Sequence, residues 1–178
     1  MPTDDTHANV RVLPPLLFLV PLAVGLVSGR RRGMRRFALP RRVLAAVLAA
    51  AAAGLFGWAT ATMLRAGTNP EPWVPARALV TNGPFRHTRN PIYLAYALGY
   101  LAVAIWRGSG ATLGLLGTAV RLTNRLAIEP EEAYLRERFG DAYERYAART
   151  PRWYRRRLPL RAQRPWVGGG QSNGCARS

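Results

Sequence analysis

Two clusters of residues with chemically versatile side chains stand on either side of an apolar stretch of the chain. Island 1 spans residues 83–93 and holds two arginines, a histidine and a tyrosine; island 2 spans residues 131–153 and begins with Glu131 and Glu132. Carboxylates accept hydrogen bonds from hydroxyl and ammonium groups, and arginine can hold a carboxylate by two parallel bonds. The sequence therefore predicts a binding or catalytic site where the two islands meet.

The elements that must position these islands are apolar helices. Residues 12–29 carry no charge and residues 43–64 form a longer charge-free run, so both are predicted to span a membrane. A cleaved signal peptide is the alternative for the first run, but two aspartates precede it where a basic segment would be expected. The Arg-rich residues 30–42 between the spans are predicted to form a water-facing loop.

A helical hairpin is predicted over residues 91–128, between the islands. Asn90 is expected to cap its first helix, which begins at Pro91, and Arg107 to Gly110 interrupt the apolar pattern. Pro130 is expected to start a fresh helix with Glu131 and Glu132 in its first turn, because proline breaks helix interiors.

The short helices after the hairpin carry their own boundary signals. Gly140 is expected to end the helix that starts at Pro130. Asp141 and Glu144 have the spacing of a capping box for a further helix.

The predicted fold class is an all-α membrane protein with about four transmembrane helices, the last two a hairpin, followed by short cytosolic helices. Residues 1–64 hold the N-terminal transmembrane helices, with spans at about 12–29 and 43–64. Residues 65–154 form the core: a cytosolic connector, the hairpin 91–128 and C-terminal helices within 130–149. The Arg- and Gly-rich residues 155–178 are predicted to be disordered, because they show no apolar pattern.

Composition limits the possible partners. The formal net charge is +17, and all 26 basic residues are arginine. A nucleic-acid-binding protein can share such a charge, but here the arginines flank apolar runs, as in membrane proteins. A lipid bilayer is therefore the expected partner and nucleic acid is not. The single cysteine excludes an intramolecular disulfide and a multi-cysteine zinc site, and no metal is expected.

Residues from about Gly67 to Trp153 resemble the isoprenylcysteine carboxyl methyltransferase and phospholipid N-methyltransferase superfamily of integral membrane enzymes. The matching runs include both islands in the same order. They are Leu79–Arg86, Arg89–Tyr93, Glu131–Leu135, Phe139–Gly140 and Pro151–Trp153, together with Tyr143 and Tyr146. Asn90 stands where the eukaryotic members have histidine, as in many bacterial relatives.

The resemblance implies a methyltransferase that uses S-adenosylmethionine, bound at the cytosolic end of the hairpin. Its implied cofactor-binding residues are Gly83, Arg86, Arg89, Asn90, Pro91, Tyr93, Glu131 and Glu132. Glu131 and Glu132 would reach the ribose or amino group. Arg152 would serve the cofactor carboxylate or the substrate, and Arg152 and Glu132 are the implied catalytic residues.

The implied acceptor is a lipophilic or membrane-accessible carboxylate, thiol or amine. A carboxylate is already ionised near neutral pH, whereas a thiol or amine must lose a proton before it can attack. His87 is the one histidine near the islands. It is expected to be a surface cation rather than a base.

Two other functions fit the same sequence. One is an NADPH-dependent membrane reductase related to the sterol reductases, although this chain is short for their full set of spans. The other is a non-catalytic membrane protein with the same fold.

The expected location is a multi-pass protein of the bacterial inner membrane with its site facing the cytosol, where S-adenosylmethionine is made. This orientation places the Arg-rich residues 30–42 outside. It conflicts with the positive-inside tendency of membrane proteins.

Overall fold

The computed structural model describes residues 13–28, 38–71 and 74–153, and within them the chain forms helices and no strand. The all-α prediction is confirmed for these residues. The six α-helices are α1 Pro14–Ser28, α2 Ala38–Arg65, α3 Pro91–Arg107, α4 Gly110–Thr123, α5 Glu129–Phe139 and α6 Asp141–Arg149. A short 3₁₀ helix covers Gly83–Arg86, and a π-helical turn covers Asn124–Ile128.

Helices α1 to α4 pack as an antiparallel bundle. α2 lies along α3, α1 lies along α4, and α3 contacts both α1 and α4. Gly25 near the end of α1 is so close to α4 that an added Cβ would come within 2.8 Å of the Thr112 Cα. At the opposite end, the start of α1, the end of α2 and the start of α3 surround one cavity together with Glu131. Both islands therefore lie at this end of the bundle.

The surface of the bundle is apolar in the way expected of helices in contact with lipid. Within the described residues, the large apolar side chains that are exposed lie between Leu13 and Leu126, and none lies on α5 or α6. Of the described helices, α2 alone has the length and hydropathy to cross a membrane. α1 and α3 have 15 and 17 residues, fewer than the about 20 that a crossing needs. The structure thus supports one crossing by length, and four crossings stay a prediction.

One predicted boundary differs from the structure, and some predicted regions lie outside the described residues. α2 begins at Ala38, so the last part of the predicted loop 30–42 is helical instead. Pro40 is tolerated there because the first-turn N–H groups of a helix have no partner to lose. The predicted disordered tail 155–178 lies outside the described residues, as do the first residue of the span 12–29 and its last one.

Pro130 does not start a separate helix, contrary to the prediction. The backbone stays helical from α4 through the π-helical turn into α5. Pro130 lacks an N–H and its ring would crowd the carbonyl four residues earlier. The wider π-helical turn immediately before it relieves that conflict, because its hydrogen bonds reach one residue further.

The two predicted caps differ in outcome. Asn90 is the N-cap residue of α3, as predicted, but its side chain makes no capping hydrogen bond; its Nδ2 donates to the Arg152 carbonyl at 2.9 Å. Gly140, with φ of 48°, occupies the N-cap position that Asp141 was expected to hold. Glu144 accepts from Arg136 Nε at 2.6 Å and does not complete a capping box.

Candidate functional site

Island 1 begins as a turn laid against α2. Gly83 has φ of 54°, a conformation that glycine adopts without strain, and an added Cβ would lie 2.9 Å from Thr62 Oγ1. Phe85 is buried beside Ala59 and Val80. This glycine therefore lets the turn approach α2 closely, and the rest of island 1 leads from there to the start of α3.

Direct hydrogen bonds join the two islands, as the sequence predicts. The Arg89 N–H donates to the Pro151 carbonyl at 2.9 Å, and Thr88 Oγ1 donates to the Arg152 carbonyl at 3.0 Å. The Tyr146 hydroxyl donates to the Phe85 carbonyl at 2.7 Å. The end of island 2 is held in turn by Trp153, whose Nε1 donates to Asn124 Oδ1 in the π-helical turn.

Glu132 is the centre of an ionic cluster that both islands supply. Its side chain is 7% exposed and accepts from Arg152 at 2.7 and 3.1 Å, while Arg89 Nη2 lies 3.2 Å away. The hydrogen bond to Glu132 is the main cause that raises the pKa of Arg152. Arg89 also donates to the Tyr143 hydroxyl at 3.2 Å. Glu132 therefore fixes the positions of two guanidinium groups.

Glu131, the next residue, has a different environment. Its Oε2 accepts from the Tyr93 hydroxyl at 3.0 Å, and no arginine of the described residues lies within 4 Å of it. Burial raises the pKa of Glu131 to about 7; the Tyr93 hydrogen bond lowers it and the Glu132 charge raises it. Burial therefore favours the protonated form of Glu131 more than it would for an exposed glutamate.

Two cavities border these side chains, and an apolar groove adjoins the second cavity. The first cavity, of about 80 Å³, has apolar residues over much of its wall and is called the polar cavity here because its remaining wall includes Arg89, Asn90, Glu131, Glu132, Tyr143 and Tyr146. An aromatic cavity of about 200 Å³ is lined by residues that include Phe56, Pro91, Tyr93, Tyr96 and Glu131. An apolar groove of about 440 Å³ runs between α1 and α2 over α3, with Ala95 and Gly99 in its floor.

The structure brings together most of the predicted site residues. Arg89, Asn90 and Glu131 border both cavities, Glu132 borders the polar one, and Pro91 and Tyr93 border the aromatic one. Three predicted residues are elsewhere. Gly83 packs on α2, Arg86 is exposed to solvent, and Arg152 acts through Glu132 without lining either cavity.

Some lining residues were not assigned to the site from the sequence. Tyr143 and Tyr146 belong to island 2, and their spacing of three residues on one helix face was the available signal. Glu71 borders both cavities from the Pro-rich connector after α2. That connector has no periodic pattern, so no sequence signal placed Glu71 there. His87 is exposed, in agreement with its expected role as a surface cation.

Comparison of the sequence with known protein families gives one match. Residues 40–142, more than half of the chain, match the model of the phospholipid methyltransferase family. The chain belongs to this family. The resemblance seen in the islands is thereby confirmed. The matched range includes α2, island 1, the hairpin and the acidic start of island 2.

Two relatives are similar over parts of their sequences. The chain is 33% identical over 89 residues to the cobalt-zinc-cadmium resistance protein CzcN of Cupriavidus metallidurans, covering 50% of this chain and 41% of that protein. It is 38% identical over 63 residues to an uncharacterized protein of Haemophilus influenzae, covering 35% of this chain and 98% of that one. The chain thus spans about two fifths of the length of the CzcN relative. No solved structure matches.

Proposed function

We propose that the protein is an integral membrane methyltransferase that uses S-adenosylmethionine to methylate a lipophilic or membrane-accessible acceptor. The observation that carries the proposal is the cluster of Glu132, Arg89 and Arg152 beside two cavities at one end of an apolar helix bundle. Buried charges are costly to keep, so a cluster of this kind at a cavity wall favours a functional role.

The chemistry of the polar cavity fits the proposed cofactor. Arg89 Nε is buried and has no hydrogen-bond partner among the described residues, which leaves a donor for the cofactor carboxylate. Glu131 offers an acceptor for the ammonium group or a ribose hydroxyl. The rings of Tyr143 and Tyr146 provide aromatic surface for the adenine. The cofactor would supply an already activated methyl group, so the protein mainly has to orient the reactants and exclude water.

The size of the cavities implies movement on binding. Neither cavity reaches the about 300 Å³ that is typical of small-molecule sites. The polar cavity is lined on one side by connector residues from 68–71 and 74–80, which form no regular helix. We propose that these residues move outward when S-adenosylmethionine enters.

The apolar groove provides a route for the acceptor from the lipid. α1 and α2 make little direct contact, so the groove between them opens sideways. Tyr96 and Phe56, whose rings lie 5.8 Å apart, border both the groove and the aromatic cavity. A hydrocarbon chain in the groove would place its polar end in the aromatic cavity, next to Glu131. This continuity supports a lipophilic acceptor.

We propose a multi-pass arrangement in the bacterial inner membrane with the islands facing the cytosol, where the cofactor is made. In this arrangement the lipid bilayer is the partner. The structure places Arg41 against Gly108 at the end of α3, which is the end of the bundle opposite to the islands. The orientation therefore leaves the Arg-rich end outside, against the positive-inside tendency.

Calorimetry on the purified full chain in detergent tests the function. We expect saturable binding of S-adenosylmethionine and no response to NADPH. Saturable binding of NADPH alone would replace this proposal by the reductase. Binding of neither compound would leave a non-catalytic membrane protein.

A further inference from the structure

We propose that Glu131 is the general base that removes a proton from the acceptor, and that the acceptor is therefore a thiol or an ammonium group rather than a carboxylate. This inference rests on the proposed methyltransferase function and deepens it. It assigns to Glu131 a role at the reacting atoms, beyond the cofactor contact that the resemblance implies.

The position of Glu131 is the first support. Its side chain borders both the polar cavity, proposed for the cofactor, and the aromatic cavity, proposed for the polar end of the acceptor. A proton acceptor for methyl transfer has to lie at this boundary, within hydrogen-bond reach of the attacking atom. Tyr93 engages one carboxylate oxygen at 3.0 Å, and no described residue donates to the other. The Tyr93 bond therefore orients the carboxylate and leaves the two lone pairs of Oε1 for the cofactor contact and for the acceptor proton.

The other candidate bases are less suited to this step. Glu132 is already bound to Arg152 and Arg89, so a proton would have to displace a guanidinium. His87 is exposed and borders neither cavity. Glu71 borders both cavities but is exposed to solvent. Of the acids on the cavity walls, Glu131 is the one that is partly buried and has no arginine partner among the described residues.

The charged and titratable groups around Glu131 come from every side of the cavities. They are Tyr93 and Tyr96 on α3, Arg89 before α3, Glu71 after α2, Glu132 and Tyr134 on α5, and Tyr143 and Tyr146 on α6. Burial among these groups raises the pKa of Glu131 to about 7, which makes it a stronger base than an exposed glutamate. A general base works best when its pKa lies near the working pH.

Methyl transfer to a thiol acceptor includes the transfer of one proton to Glu131. The S–H proton goes to Glu131, the acceptor sulfur forms a bond to the methyl carbon, and the bond between that carbon and the donor sulfur breaks, with its electron pair staying on the donor sulfur. An ammonium acceptor loses its proton to Glu131 first, and the freed nitrogen lone pair then attacks the same carbon.

The charge on the donor sulfur couples proton removal by Glu131 to methyl transfer. A positive sulfonium nearby favours ionised Glu131 before transfer, and its neutralisation on transfer makes Glu131 hold the proton more strongly. A carboxylate acceptor would not benefit from this coupling. It has no proton to give, and ionised Glu131 would repel it.

Infrared titration of the full chain in lipid nanodiscs tests the inference without turnover. We expect a carboxyl group that titrates near pH 7, is missing in Glu131→Gln and is retained in the matched control Glu137→Gln, an exposed residue of α5. Its midpoint should be lower in the complex with S-adenosylmethionine than in the complex with S-adenosylhomocysteine. Absence of this carboxyl group, or equal midpoints in the two complexes, would overturn the inference.

Turnover of three probe acceptors gives the second readout: 1-octanethiol, octylamine and octanoate, each followed by formation of S-adenosylhomocysteine. We expect methylation of the thiol or the amine, with a rate that rises with pH through the Glu131 midpoint. Glu131→Gln should lower that rate by about 10²- to 10⁴-fold and remove the pH step, while Glu137→Gln keeps both.

The outcomes separate this inference from the function beneath it. Methylation of octanoate alone, or full activity of Glu131→Gln, would overturn the inference and leave the methyltransferase intact. If the wild-type protein does not bind S-adenosylmethionine, the proposed function itself fails. If no probe is methylated, the infrared comparison of the two complexes decides.

Discussion

Both ends of the helix bundle carry arginine, but among the described residues only one end pairs it with acid. At the islands, Arg89 and Arg152 hold the buried carboxylate of Glu132 at 3.2 and 2.7 Å. At the opposite end, Arg41 and Arg107 have no carboxylate within 4 Å in the described part of the chain. The same residue type thus forms an ordered site where a carboxylate fixes it. Elsewhere its natural partners are water and lipid phosphate.

The largest effect on stability and cofactor affinity is expected from replacing Glu132, the carboxylate that pairs with arginine at the island end. Glu132→Gln leaves the Arg89 side chain, only 14% exposed, without its anion. Breaking a buried ion pair in this way costs on the order of 3–5 kcal/mol. We expect a lower melting temperature and an affinity for S-adenosylmethionine reduced by at least about tenfold, with membrane insertion intact. Thermal unfolding, calorimetry and membrane fractionation measure the three quantities.

The matched control for Glu132→Gln lies at the opposite end of the bundle. Arg107→Gln should change the affinity for the cofactor by less than about twofold, because surface charges far from a site have small effects. An unchanged affinity in folded Glu132→Gln would remove this residue from the cofactor site. Equal losses of cofactor affinity in Glu132→Gln and Arg107→Gln would mean that the charged groups at both ends of the bundle affect cofactor binding alike.

A second prediction concerns pH. The pKa of Glu131 is raised by burial from 4.5 to about 7, so between these values the folded state binds more protons than the unfolded state. The contribution of Glu131 to stability is therefore fully present below about pH 4.5 and decreases as the pH rises towards 7. Urea unfolding of the wild type and Glu131→Gln across this range should show a steeper decrease in the wild type. Parallel curves would contradict the raised pKa.

A third prediction concerns the hydrogen bond between α3 and α5. Tyr93→Phe removes the donor to Glu131, and that bond favours the ionised carboxylate. We expect the Glu131 midpoint to rise further, by somewhat less than one pH unit, because one such bond is worth about 1 kcal/mol. Infrared titration measures it. Tyr96→Phe is the control, since Tyr96 lines the same cavity without bonding to Glu131; a midpoint that moves only in this control would contradict the assignment.

The last prediction concerns the side of the membrane that each end of the helix bundle faces. A cysteine at Gly33, with Cys175 replaced by serine, should react with a membrane-impermeant reagent added from the periplasm. A second cysteine at the exposed Arg86 should react only after the cells are opened. Labelling of the Gly33 position from the cytosol alone would reverse the proposed orientation.

Much of the architecture could be predicted from local signals. The charge-free run that became α2, the start of α3 at Pro91 and the end of α5 at Gly140 follow from residue types and short spacings. The errors concern side chains whose partners come from elsewhere. Asn90 bonds to the Arg152 carbonyl and Glu144 bonds to Arg136, and no local pattern reveals these partners.

The sequence by itself determined the helices, the family and the residues of the two islands, because these depend on composition, spacing and motif. Only the tertiary structure decided how two adjacent glutamates differ. Successive residues on a helix point about 100° apart, so Glu132 meets Arg152 from the end of island 2 while Glu131 meets Tyr93 from α3. One carboxylate is therefore engaged by two guanidinium groups, and the other keeps an oxygen that no described residue engages.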